Sequence, residues 1–176
     1  MYLTTNRLII RTMNQDDFDD VYEIYKDPRT CQFIPSGPWN DQNKHEFFHN
    51  KLSHQSLEDS GRIDLACVYE SKVIAIIGIW YTEMRETVEI GYVFHYGYCG
   101  KGFATEALKS IIDYLFDELH IHRIQANIDP RNVSSYKLCE RLGMRREAHF
   151  IKDYWFQGEW TDSYIYGMLE DDKTRQ

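Results

Sequence analysis

The chain has little of what staples a small secreted domain or anchors a protein in lipid. Its four cysteines, Cys31, Cys67, Cys99 and Cys139, are scattered through 176 residues, with neither the density of a disulfide framework nor paired metal-ligand spacing. They read as reduced, mostly buried thiols. No run approaches the ~20 apolar residues of a membrane-spanning helix, and nothing at the N-terminus resembles a signal peptide. The expectation is a cytoplasmic protein with no membrane partner. Basic residues are outnumbered, 20 Lys and Arg against 28 Asp and Glu, and the formal charge of −8 disfavours nucleic acid and favours cationic partners. There is no HExxH: His45 and His49 stand at helical spacing with His54 beyond, a solvated helix face, and no metal is expected. No linker, repeat or low-complexity block divides the sequence. One domain is expected over residues 1–169, with residues 170–176, EDDKTRQ, as a loose tail. The 43% of apolar residues are enough to fill one ordinary core.

What is present is a regular alternation of elements. RLIIRTM (7–13) reads as a strand, and Asn14 then caps a helix whose Phe18, Val21, Tyr22 and Tyr25 recur at i, i+3, i+4, i+7. Asp27-Pro28 ends it, and a second helix after Asn40 carries Phe47, Phe48 and Leu52. Ile63 to Tyr69, Val73 to Tyr81 and Thr87 to Phe94 form an antiparallel meander. Ala104 to Leu119 has the doubled apolar stripe of a buried helix. Arg123 to Ile128 is a strand, Val133 to Leu142 a helix capped by Asn132 and stopped by Gly143, and His149 to Phe156 with Trp160 to Leu169 a closing hairpin. The order βααβββαβαββ predicts an α/β (α+β) fold with a mixed, largely antiparallel sheet flanked by helices.

Between the third strand of the meander and the long helix lies GYCGKGFATE (97–106). Gly100 and Gly102 stand where a strand passes into a helix, so unpaired first-turn N–H groups and the positive end of the helix dipole face outward, with Lys101 beside them. Such a loop suits a pyrophosphate. Two glycines also make a plain βα turn. A Walker loop is excluded, since Lys101 lies between the glycines and no Ser or Thr follows it. A dinucleotide fingerprint would need a third glycine where Thr105 stands.

The loop resembles the acetyl-coenzyme A loop of the GCN5-related N-acetyltransferases, although Gly97 replaces the usual Gln or Arg. GKGFATEAL is similar to the ribosomal-protein acetyltransferase branch of that family. TNRLIIRTMNQDDFDDVYEIYKDP, EIGYVF and HRIQANIDPRNVSSYKLCERLGMRREA are similar to its opening strand and helix, its fourth strand, and its fifth strand with the following helix. Together these segments cover about residues 4 to 169. The resemblance implies a twisted sheet that splays after the fourth strand, with acetyl-CoA as cosubstrate and transfer of acetyl to an amine in a ternary complex. It implies that Tyr92, Val93 and Phe94 offer backbone groups to the pantetheine arm as a substitute strand. It implies that Tyr98, Gly100, Lys101, Gly102, Phe103, Ala104 and Thr105 wrap the pyrophosphate. Asn132 and Ser135 match the family's Asn-x-x-Ser, which implies that Asn132 orients the cofactor and Ser135 stabilises its thiolate.

Read without that resemblance, Asn132 and Ser135 are ordinary residues at a helix start. The general-acid tyrosine of the wider family falls on Cys139, a thiol expected to be buried packing. Glu89 is the candidate base, or else one half of a structural ion pair, and a bulge would turn it to the other face. His149, Asp153 and Asp162 are substitutes. Trp39, Phe47, Phe48, Tyr154, Trp155 and Trp160 with Asp41, Asp59, Asp153, Glu159 and Asp162 suit a cationic amine, whether a protein N-terminus or a small molecule. The same residues suit core, solvated turns or a dimer contact, so monomer and homodimer stay open. The competing class is a non-catalytic acetyl-CoA sensor or assembly module.

Overall fold

The computed structural model describes residues 1–175. The chain opens with β1 (Tyr2–Thr4) and β2 (Ile9–Thr12), then α1 (Phe18–Lys26), α2 (Lys44–Leu52), β3 (Gln55–Ser56) and α3 (Leu57–Ser60). Three long strands follow, β4 (Arg62–Tyr69), β5 (Lys72–Tyr81) and β6 (Thr87–Phe94). Then come α4 (Phe103–Asp117), β7 (Arg123–Ile128), α5 (Val133–Arg141), β8 (Arg145–Phe156) and β9 (Glu159–Leu169). The strands form one sheet in the order β1-β2-β4-β5-β6-β7-β9-β8, with β3 added beside β4. Every pairing is antiparallel except β6 with β7.

The expected elements are all present, and β6 and β7 have the expected bounds. β1, β3 and α3 were not expected; at two to four residues they are too short to carry a hydrophobic period, and pairing with β2 and β4 makes the two strands while the Ser56 cap holds the single turn of α3. Asn14 accepts the Asp16 N–H at 2.9 Å while Asp17 accepts the Asn14 N–H at 2.8 Å, a reciprocal cap that starts the helical path into α1.

Helices cover both faces. Ile77, Ile79, Val88 and Ile90 point to α4, whose Ala107, Leu108, Ile111, Ile112, Leu115 and Phe116 are buried against them. Ile76, Ala66 and Val93 point the other way, to Val21, Ile24 and Tyr25 of α1 and Phe48 of α2. Because β4 and β5 are covered twice, Ile63 to Val68 and Val73 to Ile79 are buried without interruption, and apart from Asp64 both runs carry no charged residue. Each such side chain contributes roughly 1.5–3 kcal/mol on burial, so packing rather than local propensity holds the sheet.

Two expectations, for the tail and for His54, are corrected. The tail is docked, not loose: Glu170–Arg175 forms a 3-10 helix, Asp172 is held by Arg145 and by the Leu169 N–H, and Lys173 reaches Asp113 and Asp117 of α4 at 3.2 and 2.7 Å. Of the alternatives open for the aromatic residues, Trp39 and Phe48 take the core: both belong to the second cluster, with Trp39 stacked on Tyr25 at 4.4 Å. His54 is not on a solvated face; its Nδ1 lies 2.8 Å from the buried Asp64 carboxylate.

Candidate active site

A fork in the sheet organises the site. β6 and β7 pair only through Thr87–Arg123, Val88–Ile124 and Glu89–Gln125, although the strands continue to Phe94 and Ile128. Beyond Glu89 they part. His95 donates its N–H to Ile74 O at 2.9 Å across the β5 ladder, and by antiparallel alternation Glu89, Gly91 and Val93 also turn their backbone groups to β5. Tyr92 and Phe94 turn theirs into the open fork, as does the Ile90 carbonyl, whereas the Ile90 N–H closes the last rung with β7 at Gln125. The expectation for Val93 is therefore corrected: its amide and carbonyl belong to the β5 ladder, which leaves Tyr92, Phe94 and the Ile90 carbonyl facing the fork. The family resemblance implied a splay, but only the hydrogen-bond parity separates these positions.

The glycine loop stands at the mouth of this fork. Gly100 and Gly102 have φ of +75° and +81°, and a Cβ on Gly100 would meet nothing within 4 Å. Gly102 opens α4 without a side-chain cap, so the N–H groups of Phe103, Ala104 and Thr105 remain directed outward from a 15-residue helix. Lys101 is exposed, its ammonium 5.2 Å from the Tyr98 ring centre. The loop is clamped from below by Arg7, a residue the sequence reading missed. Arg7 donates to Lys101 O at 3.0 Å and to Glu106 at 2.7 Å, and its guanidinium lies 4.3 Å from the Phe103 ring centre. Burial alone would raise the Glu106 pKa, but hydrogen bonds from Thr5 and Arg7 hold it below the ordinary range. That negative charge in the first turn is thereby neutralised. Arg141, at the end of α5, donates to Thr105 Oγ1 at 3.2 Å and brings a second unforeseen cation to the same helix start.

On the α4 and α5 side of the fork sits a hydroxyl cluster. Asn132 accepts the Ser135 N–H at 3.2 Å and the Ser134 hydroxyl at 2.9 Å, so its oxygen is the cap of α5 and only its NH₂ is left for another role. Ser135 is buried, and its Oγ is 2.8 Å from the Tyr92 hydroxyl, which also lies 3.6 Å from Cys139 Sγ. Burial pushes the Cys139 thiol up to about 11 and the Tyr92 phenol well above its usual range. Cys139 is a protonated packing residue at neutral pH.

Glu89 lies on the opposite face. The β5–β6 register runs from Ala75–Phe94 to Tyr81–Val88 without a shift, so no bulge re-aims it. Its carboxylate accepts the Gln125 NH₂ at 2.9 Å at the last paired position before the fork. It makes no salt bridge among the described residues. Beside it the Trp80 indole lies over Gly78 and Gly91, where any Cβ would come within 3.4 Å of the ring. Those two glycines make the floor that Trp80 rests on. The substitutes for Glu89 fare less well: Asp162 is engaged by His149 at 2.8 Å and by the Lys152 N–H at 2.9 Å. Tyr154, Trp155 and Trp160 are exposed on the hairpin, the two indoles 5.4 Å apart.

These residues fit the expected cosubstrate: unpaired strand groups for amides, a positive-φ cradle and free helix amides for a diphosphate, and a hydroxyl at the fork for sulfur. The chain's relatives agree. The acetyltransferase (GNAT) domain family matches residues 7–145. The chain is 35% identical over 172 residues to YnaD, an uncharacterized N-acetyltransferase of Bacillus subtilis, covering 98% of this chain and 99% of that one. It is 38% identical over 86 residues to the [ribosomal protein uS5]-alanine N-acetyltransferase of Escherichia coli, covering 48% and 44% of the two chains. Among solved structures, a GNAT-family acetyltransferase from Bacillus anthracis superposes with a TM-score of 0.86 at 31% identity, covering 97% of this chain and 99% of that one. The chain belongs to the GNAT family and is an acetyl-CoA-dependent N-acetyltransferase with the family's mixed, splayed sheet.

Proposed function

We propose that this protein transfers acetyl to a primary amine, the α-amino group of a protein N-terminus or a small cationic amine, by direct attack in a ternary complex. The observation that carries this reading is the fork between Glu89 and Ser135. A carboxylate with no salt bridge stands on one face and a buried hydroxyl on the other, so a thioester lying in the gap would meet a base from one side and a thiolate donor from the other. Tyr92 and Phe94 hold the extended arm through their backbone groups, with the Ile90 carbonyl beside them. Gly100 to Thr105 hold the pyrophosphate, with Tyr98 and Lys101 at the rim. Holding both reactants removes most of the entropic barrier. Glu89 takes the ammonium proton directly or through water, and Ser135 donates to the departing sulfur.

Calorimetric titration with acetyl-CoA, with NAD as control, followed by a thiol-release assay over peptide N-termini and polyamines, tests the reading. Selective binding with amine-dependent release supports it. Tight binding that no amine converts to release identifies a sensor module instead, and preference for NAD rejects the cradle.

Glu89→Gln keeps the Gln125 contact but removes the base. It is expected to lower kcat/KM for the amine by roughly a hundredfold near pH 7 with acetyl-CoA affinity unchanged. The deficit should shrink as pH rises and the amine loses its own proton. A pH-independent deficit would make Glu89 a structural residue.

A further inference from the structure

Tyr92 combines two properties that packing alone does not require together. Its ring faces the α4 and α5 side, as does its strand neighbour Phe94, which packs there with no hydroxyl. Yet the Tyr92 hydroxyl is carried to the buried start of α5, where it meets three atoms: Ser135 Oγ at 2.8 Å, Ser135 O at 3.4 Å and Cys139 Sγ at 3.6 Å. Of these the Oγ is the closest and the only one of the three at an ordinary O–H···O distance. Sulfur is a weak acceptor, and the carbonyl stands at the limit of hydrogen-bond distance.

The direction of the 2.8 Å bond decides what Ser135 can do. A serine hydroxyl has one proton. If it goes to Tyr92, nothing is left for a third atom; if Tyr92 donates, the serine proton is free to point into the fork. A phenol is more acidic than an alkyl hydroxyl, hence the better donor and the poorer acceptor, which favours donation by Tyr92. Donation by Tyr92 also polarises the serine O–H and strengthens the bond it makes next.

We infer that Tyr92 is a positioning residue for Ser135: its hydroxyl donates to Ser135 Oγ and so directs the Ser135 proton at the cofactor sulfur. The inference rests on the functional reading above and adds to it a side chain whose backbone alone had been assigned. No proton leaves Tyr92, because its phenol is held protonated by burial. The titratable group in contact with it is the Cys139 thiol, which stays neutral to about 11.

The test reads the acid strength of CoA itself, so it needs no acceptor amine. Free CoA is bound to the full chain and its thiolate followed by ultraviolet absorbance across pH. Cys31, Cys67 and Cys139 are pushed up to about 11, 12 and 11, above the titration window, and the exposed Cys99 is removed by working in a Cys99→Ser background throughout. A hydrogen bond to the charged form lowers a pKa, so in the native protein the bound thiol should titrate roughly one unit below its ordinary value of about 8.5, a tenfold gain in thiolate. Tyr92→Phe, which keeps the ring, should lose most of that shift. Ser135→Ala should lose all of it, and the double variant should match Ser135→Ala. In turnover Tyr92→Phe should lower kcat roughly tenfold with KM for acetyl-CoA unchanged. A thiol pKa that stays depressed in Tyr92→Phe, or losses that add in the double variant, overturn the inference while leaving the cofactor site standing. Failure of CoA to bind the native chain overturns the functional reading, and this inference with it.

Discussion

Gly102→Asp is expected to weaken acetyl-CoA binding by roughly a hundredfold or more while the protein stays folded. The residue sits at φ +81° as the first position before α4, a conformation that costs a non-glycine residue roughly 1–2 kcal/mol and that Asp tolerates better than most. A Cβ there would stand 3.4 Å from an Arg7 guanidinium nitrogen, so the new carboxylate has a cation beside it that offsets part of the strain. The same carboxylate stands in front of the unpaired N–H groups of Phe103, Ala104 and Thr105, where it competes for them and repels a pyrophosphate at short range. Gly102→Ala separates the two effects, since it adds the strain without the charge and should cost affinity far less. Calorimetry on both variants, with thermal unfolding as the control for folding, makes the measurement. Equal affinity in Gly102→Asp and native protein would remove the loop from the cofactor site and every assignment that depends on it.

The loop was legible in the sequence because glycine at a strand-to-helix junction has a local physical meaning. The long strands and α4 were legible for a similar reason, since their periods of 2 and 3.6 follow from which faces are covered. What escaped was set by partners distant in sequence. Arg7 looks like any residue flanking a strand until α4 brings Lys101 O and Glu106 against it, 94 and 99 positions away. Val93 is withdrawn from the fork by the parity of a ladder whose register depends on the β5–β6 turn. Trp39 and Phe48 could be read as core or as binding surface, because aromatic content does not say which side of a segment is covered. Glu89 stood out by type and position, but its freedom from a cation is a fact about the neighbouring strand, where Gln125 rather than Arg or Lys lies opposite.

The largest effect on stability is expected at Asp64→Ala, roughly 3–5 kcal/mol, or on the order of 10 °C in Tm for a chain of this length. Asp64 is 1% exposed on β4 and collects three partners: His54 Nδ1 at 2.8 Å, Arg62 Nε at 3.1 Å and Lys51 Nζ at 3.6 Å. Lys51 is itself mostly enclosed, its ammonium 5.1 Å from the Tyr25 ring centre, so deleting the carboxylate strands a buried positive charge. Although burial works to raise the Asp64 pKa, Lys51, Arg62 and His54 together hold it below the ordinary carboxylate range. A depressed acid stabilises the fold above its unfolded pKa of about 3.9, and that share is lost as pH falls through the lower, folded value. For Lys51 desolvation lowers the pKa, but Tyr25 and Asp64 more than offset it and the net shift is upward. A raised base stabilises below its unfolded pKa of about 10.4 and loses that share as pH rises through the higher, folded value. The gap between native protein and Asp64→Ala should therefore be flat from about pH 5 to 9 and narrow at both ends, as chemical denaturation at each pH would show. A gap below 1 kcal/mol at pH 7 would mean that packing alone fastens the end of α2 to the sheet. The cluster also touches function, because Arg62 lies between Asp64 and Trp80, 5.1 Å from the indole that neighbours Glu89. Losing Asp64 frees that guanidinium on the acceptor face only. Acetyl-CoA affinity, set by the loop before α4, should stay unchanged while KM for the amine rises.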